Sequence, residues 1–316
     1  MAAKNGLEAA GTALFGAEMD MIVSAMQNLT RRSFLAAALA APLSAEWAAP
    51  VLDIHLHTRG GKTAELSHLT GSGTDKAILL PGGNEEAVER ARALAAADPA
   101  HFLWFVRADV TKPDAIAQLT QGLKNGALGL GEIKNAVEVD GPEMRRVYSL
   151  AAEFRVPVLF HLEEGLSNSG IGRLENLLKA FPKTTFIGHG PTFWVHISGK
   201  PAKETGYPAG PVQPGGLMPR LLRDYANLYG DLSANSGRNA LARDSGFTPD
   251  FLKAHRAKLM FGSDCPCPDG KGTGQNNGQC IARATLSLLQ QHAEATLLRQ
   301  ITWENAHRLL GLKVAV

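Results

Sequence analysis

From residue 51 onward, apolar runs of strand length alternate with helical patterns eight times over. That alternation leaves a chain very few architectures to choose from. The runs cover 51–57, 76–81, 102–109, 127–134, 156–163, 184–189, 228–233 and 258–264. Most are nearly continuous in apolar residues, as parallel strands buried on both faces require. Helical patterns fill 85–97, 115–124, 142–154, 173–181, 217–225, 249–255, 281–292 and 295–310, and the first connection, 59–73, is only weakly helical. Pro142 and Pro249 sit near helix starts, where a missing N–H costs nothing. Asn84 and Thr248 precede acidic first turns and read as N-caps. No linker separates two halves, so the expected fold is α/β: a single-domain, closed (β/α)8 TIM barrel over residues 49–316. An open, doubly wound sheet needs a reversal of strand order and usually a glycine-rich first turn, and neither is evident.

The residues before the barrel read as an address. Thr30-Arg31-Arg32-Ser33-Phe34-Leu35 leads into an alanine-rich apolar run to Leu43, then Ser44-Ala45. Paired arginines, a short apolar segment and small residues are the layout of a twin-arginine export signal. Residues 1–48 are therefore expected to be a leader, with Met26 as a natural start, residues 1–25 an upstream extension, and cleavage near Ala45 or Ala48. The expected location is the periplasm or the extracellular space. A net charge of +2 with scattered Lys and Arg gives no nucleic-acid surface. No apolar run approaches the roughly 20 residues of a membrane-spanning helix. Three cysteines are too few for a disulfide framework. The exposed helices of a barrel leave room for a homo-oligomer.

The ends of the strand runs carry the chemistry. The first ends in His55 and His57, which share one face because strand side chains alternate. The fourth carries Glu132 and Lys134, the fifth ends at His161, the sixth at His189 and the eighth at Asp264. In a barrel these ends converge on one mouth, and neutral imidazoles with carboxylates are ligands for a divalent metal. Such an ion lowers the pKa of a bound water from near 16 to about 7 and polarises the bond under attack. Two long loops, 190–216 and 266–279, follow the sixth and eighth strands and are expected to wall a pocket.

His-x-His after the first strand, histidines after the fifth and sixth, and Asp after the eighth together resemble the amidohydrolase superfamily of metal-dependent hydrolases. Gly188-His189-Gly190, Phe261-Gly262-Ser263-Asp264 and the closing Trp303-Glu304-Asn305-Ala306-His307 are similar to its amidohydrolase-related (amidohydrolase 2) branch. The resemblance implies that His55, His57 and Asp264 hold a divalent metal, usually zinc. It implies that His161 and His189 bind that ion or a second one, or contact the substrate. Glu132 matches the superfamily members that bridge two metals with a glutamate, while Lys134 offers the carboxylated-lysine alternative, so one or two ions are expected. Asp264 would pass a proton from water to the leaving group, with His189 as its catalytic companion.

The expected function is hydrolysis of a small organic substrate at a C–N or C–O bond. A metal-dependent decarboxylase of an aromatic or related acid is the alternative. A TatD-like phosphoesterase or nuclease, and a non-catalytic binding protein, are lesser ones. Lys134, Trp194 and His196 are expected to contact substrate. Arg107, Asp109, Asn135, Glu163, Asp231 and Ser233 also lie at strand ends, where supporting and substrate-binding roles are equally open. Cys265-Pro266-Cys267 lacks the second pair of a structural zinc site and is expected to line the pocket rim, or to form a disulfide with Cys280. Gly60-Gly61-Lys62-Thr63 is not a P-loop, because position 56 is Leu56.

Overall fold

Among the described residues, eight parallel strands follow one another in order: β1 Leu52–His57, β2 Lys76–Leu80, β3 Phe102–Trp104, β4 Leu130–Ile133, β5 Pro157–His161, β6 Thr185–His189, β7 Leu228–Asp231 and β8 Leu259–Met260. All eight fall inside the runs marked by sequence. This computed structural model describes residues 46–60, 62–201, 207–275 and 277–312; the leader with its arginine pair lies outside the described residues. The ladders form two arcs, β1-β2-β3 and β4 through β8. Backbone hydrogen bonds span both seams. Leu128 N–H donates to Trp104 O (2.9 Å) and Val106 N–H to Gly129 O (3.0 Å) between β3 and β4. Ile54 N–H donates to Phe261 O (3.1 Å) and Asp264 N–H to His55 O (2.8 Å) between β8 and β1. The fold is the (β/α)8 barrel of the sequence reading.

Helices cover the ring: α1 Lys62–Ser72, α2 Glu85–Ala97, α3 Ala115–Lys124, α4 Pro142–Phe154, α5 Leu174–Ala180, α6 Pro191–Val195, α7 Leu217–Asp224, α8 Ala234–Ala242, α9 Thr248–Ala254, α10 Ile281–His292, α11 Ala295–Arg299 and α12 Asn305–Leu309. Asn84 caps α2 as expected, its side chain accepting from Ala87 N–H at 2.8 Å. Thr248 does not cap α9. It lies one residue inside the helix, with Oγ1 donating to Leu241 O and Asp244 O, so Phe247 holds the cap position. Two helices were not expected. The sequence of α8 is rich in Asn, Ser and Gly, which are weak helix formers, but its buried Ser236, Gly237 and Ala240 pack on the barrel.

The final helical stretch is also broken, by a π-turn at Gln300–Glu304. There Ile301 O accepts from Phe261 N–H (3.0 Å), and Asn305 Nδ2 donates to Arg256 O and Leu259 O at 2.6 and 2.7 Å. The break turns the closing motif toward β8. Asn305 is fully buried, so Asn305→Ala would strand two carbonyls. We expect a loss of roughly 1–3 kcal/mol in thermal or denaturant unfolding; an unchanged midpoint would show that β8 holds its place without this contact.

A buried apolar cluster joins Ile78 and Leu80 of β2, Leu159 of β5, Ile187 of β6 and Met260 of β8 with Trp303 and Ala306. Strands so far apart in the ring can meet only inside it. The larger cluster takes residues such as Leu79, Trp104, Val158 and Phe186 together with the inner faces of the helices.

Candidate metal centre

Alternation along β1 places His55 and His57 on one face, with their Nε2 atoms 3.3 Å apart. Glu132 from β4 reaches both: its Oε2 lies 3.4 Å from His57 Nε2 and 4.0 Å from His55 Nε2. Its other oxygen, Oε1, lies 2.8 Å from His161 Nδ1 and 3.8 Å from His189 Nε2. Asp264 spans the same gap from the opposite side. Oδ1 is 3.8 Å from His55 and 3.5 Å from His57, and Oδ2 is 3.6 Å from His189. Asp264 has left-handed backbone (φ 44°), uncommon for a residue with a side chain, and its N–H is tied to His55 O.

A layer behind these groups sets which ring nitrogens face inward. His55 Nδ1–H donates to Asp231 Oδ2 at 2.7 Å. Ser233 Oγ donates to the same carboxylate at 2.8 Å and accepts from His189 Nδ1–H at 2.8 Å. His57 Nδ1–H points at Leu80 O (3.3 Å). Each Nε2 is thereby left as a lone pair directed at the common centre. His189 Nε2 is buried with no hydrogen-bond partner among the described residues, and two imidazole lone pairs 3.3 Å apart repel unless a cation lies between them. The donor set suits a divalent metal: atoms of His55, Glu132 and His189 lie within 4.8 Å of one another, as do those of His55, His57 and Asp264.

The charges agree. Burial pulls the His55 pKa down, yet Asp264, Asp231 and Glu132 together push it up to about 10. Burial raises the Glu132 carboxyl, but the hydrogen bond with His161 and the neighbouring His57, His55 and His189 hold it well below the usual range. Asp264 is held at about 2, burial being outweighed by the surrounding histidines. Two buried carboxylates, Glu132 and Asp231, and the partly exposed Asp264 therefore demand positive charge among them, which a cation supplies as well as protons do.

The sequence model of the family described as amidohydrolase matches residues 62–312. The chain belongs to the amidohydrolase family. No curated protein matches it significantly. Among solved structures it is similar to an amidohydrolase from Burkholderia multivorans with bound zinc (12% identity, 84% of this chain and 100% of that one, TM-score 0.57). It is also similar to dihydroorotase from Campylobacter jejuni (17% identity, 84% and 85% of the chains, TM-score 0.54). A third is 5-carboxyvanillate decarboxylase from Novosphingobium aromaticivorans with bound manganese (12% identity, 87% and 100%, TM-score 0.53). At these identities the likeness is one of fold.

Other strand-end residues of this amidohydrolase sort by position. His161 stays beside Glu132, but both its nitrogens face carboxylates, Nε2 being 3.1 Å from Glu163 Oε2. Lys134 is exposed, and among the described residues it makes no ion pair with Glu132. Trp194 is not a pocket wall: it is 1% exposed, in α6, with Nε1 donating to Asp231 O at 2.8 Å, so it props the acid that orients His55. His196 ends the same helix with Nδ1 on Thr192 O. Asp109 and Asn135 bond each other, and Arg107 reaches Lys134 O. Cys265 and Cys267 do not line a rim; both are buried, and all three cysteines are free thiols. Sequence reasoning did not single out Asp53, whose Oδ1 accepts from His55 N–H and Ser263 N–H, tying the ends of β1 and β8.

Proposed function

We propose that this amidohydrolase is a metal-dependent hydrolase of a small organic substrate, cleaving a C–N or C–O bond. The supporting observation is the set of three Nε2 lone pairs, each fixed by an acceptor at Nδ1, converging between two carboxylates. A divalent ion there supplies a lowered water pKa and polarisation of the scissile bond. His55, His57, Asp264, Glu132 and His189 are the residues that would hold it. Among these the carboxylate that reaches solvent is Asp264, with its side chain 27% accessible, against 3% for Glu132. Asp264 can take a proton from water on the open side and return it to the leaving group. His189 Nε2 faces the far oxygen of Asp264 at 3.6 Å, and His161 holds Glu132 in line at 2.8 Å.

Beside the site, a cavity of about 400 Å³ is lined by Tyr207, Asn235, Arg238 and Asn239. The Tyr207 phenol is raised in pKa by burial and by the charges of Glu163 and Asp264, which puts it near the mouth. Arg238 gives this cavity a cation that suits an organic acid, so decarboxylation of an aromatic acid is the second reading. A panel of amides, lactones, phosphoesters and aromatic acids, run on metal-assayed protein, separates the two. Hydrolysis without release of carbon dioxide supports the first; carbon dioxide as the product overturns it.

Glu132, with one oxygen toward each histidine pair, is the group able to bridge two ions. Glu132→Gln is expected to lower metal content and cut turnover about 10²-fold or more, whereas Lys134→Met should leave both unchanged. Loss of metal in the lysine variant alone would move the bridge to Lys134.

A further inference from the structure

Three cysteines are all the chain has, and they come together. Cys265 Sγ lies 3.2 Å from Cys267 Sγ and 3.7 Å from Cys280 Sγ. The fourth member comes from α1: His68 Nδ1 is 3.7 Å from Cys267 Sγ and 2.8 Å from Cys267 O, and His68 Nε2 is buried without a hydrogen-bond partner among the described residues. All four residues are buried, and one donor atom from each lies within 4.8 Å of the others. The sulfur separations are far beyond the roughly 2.05 Å of a disulfide. They are near the edge of about 3.8 Å expected for a tetrahedron with zinc–sulfur bonds of about 2.3 Å.

We propose that His68, Cys265, Cys267 and Cys280 form a structural metal centre for a soft divalent cation, zinc. Three cysteines and one histidine fill a tetrahedral shell, and no position is left open for substrate. The surroundings suit the anionic sulfur atoms such a centre needs. Ile281 N–H donates to Cys265 Sγ at 3.3 Å, and Cys280 occupies the N-cap of the twelve-residue α10, at the positive end of its dipole. Three thiolates and a neutral imidazole around a divalent ion leave one net negative charge. The Arg59 guanidinium, which donates to Cys265 O and whose Nη1 is buried without a partner among the described residues, stands beside it.

The centre would fasten the loop 268–279 at both ends. Cys265 follows Asp264 directly, so the clamp also holds the strand end that carries a ligand of the barrel-mouth site. The loop already lies backbone to backbone on α1. A Cβ at Gly71 would fall 1.8 Å from Asp269 O, and one at Gly270 2.3 Å from His68 O. This proposal is independent of the reaction at the barrel mouth.

Cobalt substitution of the full-length protein, prepared under reducing conditions, tests it. Cobalt bound by thiolates absorbs in the near-ultraviolet through sulfur-to-metal charge transfer, which the histidine and carboxylate donors at the barrel mouth cannot produce. The band is expected in the parent and in His57→Asn, and is expected to vanish in Cys280→Ser with the loss of one metal equivalent. Should Cys280→Ser not fold, His68→Cys keeps four soft ligands, and its band is expected to strengthen. Zinc X-ray absorption of the parent should show sulfur neighbours. Absence of any sulfur-bound metal after reconstitution, iron with acid-labile sulfide, or a Cys265–Cys280 disulfide found by mass under non-reducing conditions would each overturn it.

Discussion

Asp264→Asn is expected to lower kcat/KM by about 10²–10⁴-fold with little change in the folded chain. The amide keeps the shape of the side chain and the backbone N–H bond to His55 O (2.8 Å). It removes one negative charge from a centre that faces three histidines within 3.8 Å. It also turns an NH2 group toward positions where a cation needs a lone pair. Proton transfer is lost along with part of the metal affinity, so metal content is measured beside the rate, and circular dichroism checks the fold. Turnover and metal content equal to the parent's would sink the assignment of Asp264.

Asp231 carries the second large effect, although it touches no substrate. Its Oδ2 accepts from His55 Nδ1–H and Ser233 Oγ–H, and its Oδ1 from Ser233 N–H at 3.0 Å. Donors surround it on both sides, so even asparagine would press its NH2 against one of them. Asp231→Ala leaves a fully buried His55 without the acid that fixes its tautomer. Metal affinity should fall about 10–100-fold, as for other residues that orient a ligand. Removing one partner of a buried charged pair should also cost about 3–5 kcal/mol. A competitive chelator titration reads the first effect, and unfolding in excess chelator isolates the second. Unchanged affinity would mean that His55 is oriented by something else.

The eight strands were legible because each is a nearly unbroken apolar run, and the His55, His57 pair because alternation needs no tertiary knowledge. What sequence left open was decided by contacts between distant segments. Nothing local marks His68 as the neighbour of Cys267, 199 residues away. Asp231 and Ser233 could be seen at a strand end but not their hold on two histidines. Trp194 looked like a loop aromatic; its indole is buried beneath Asp231 because residues 191–195 coil into a helix. Gly188 leaves the space that Phe193 fills, since a Cβ there would lie 2.1 Å from that ring. The broken C-terminal helix answers to β8 rather than to its own periodicity.

The seam between β8 and β1 has a consequence in time. His55 and Ser263, bonded across it, are 208 residues apart, and Asp264 joins the histidines only when that seam is made. A growing chain holds both histidines of β1 from early in synthesis, yet it has no complete cage until nearly its whole length is available. Long-range pairing of this kind is slow to form. Loading of the barrel mouth would thus be a late event, and an ion bound there would reward the closed ring over every partly wound precursor.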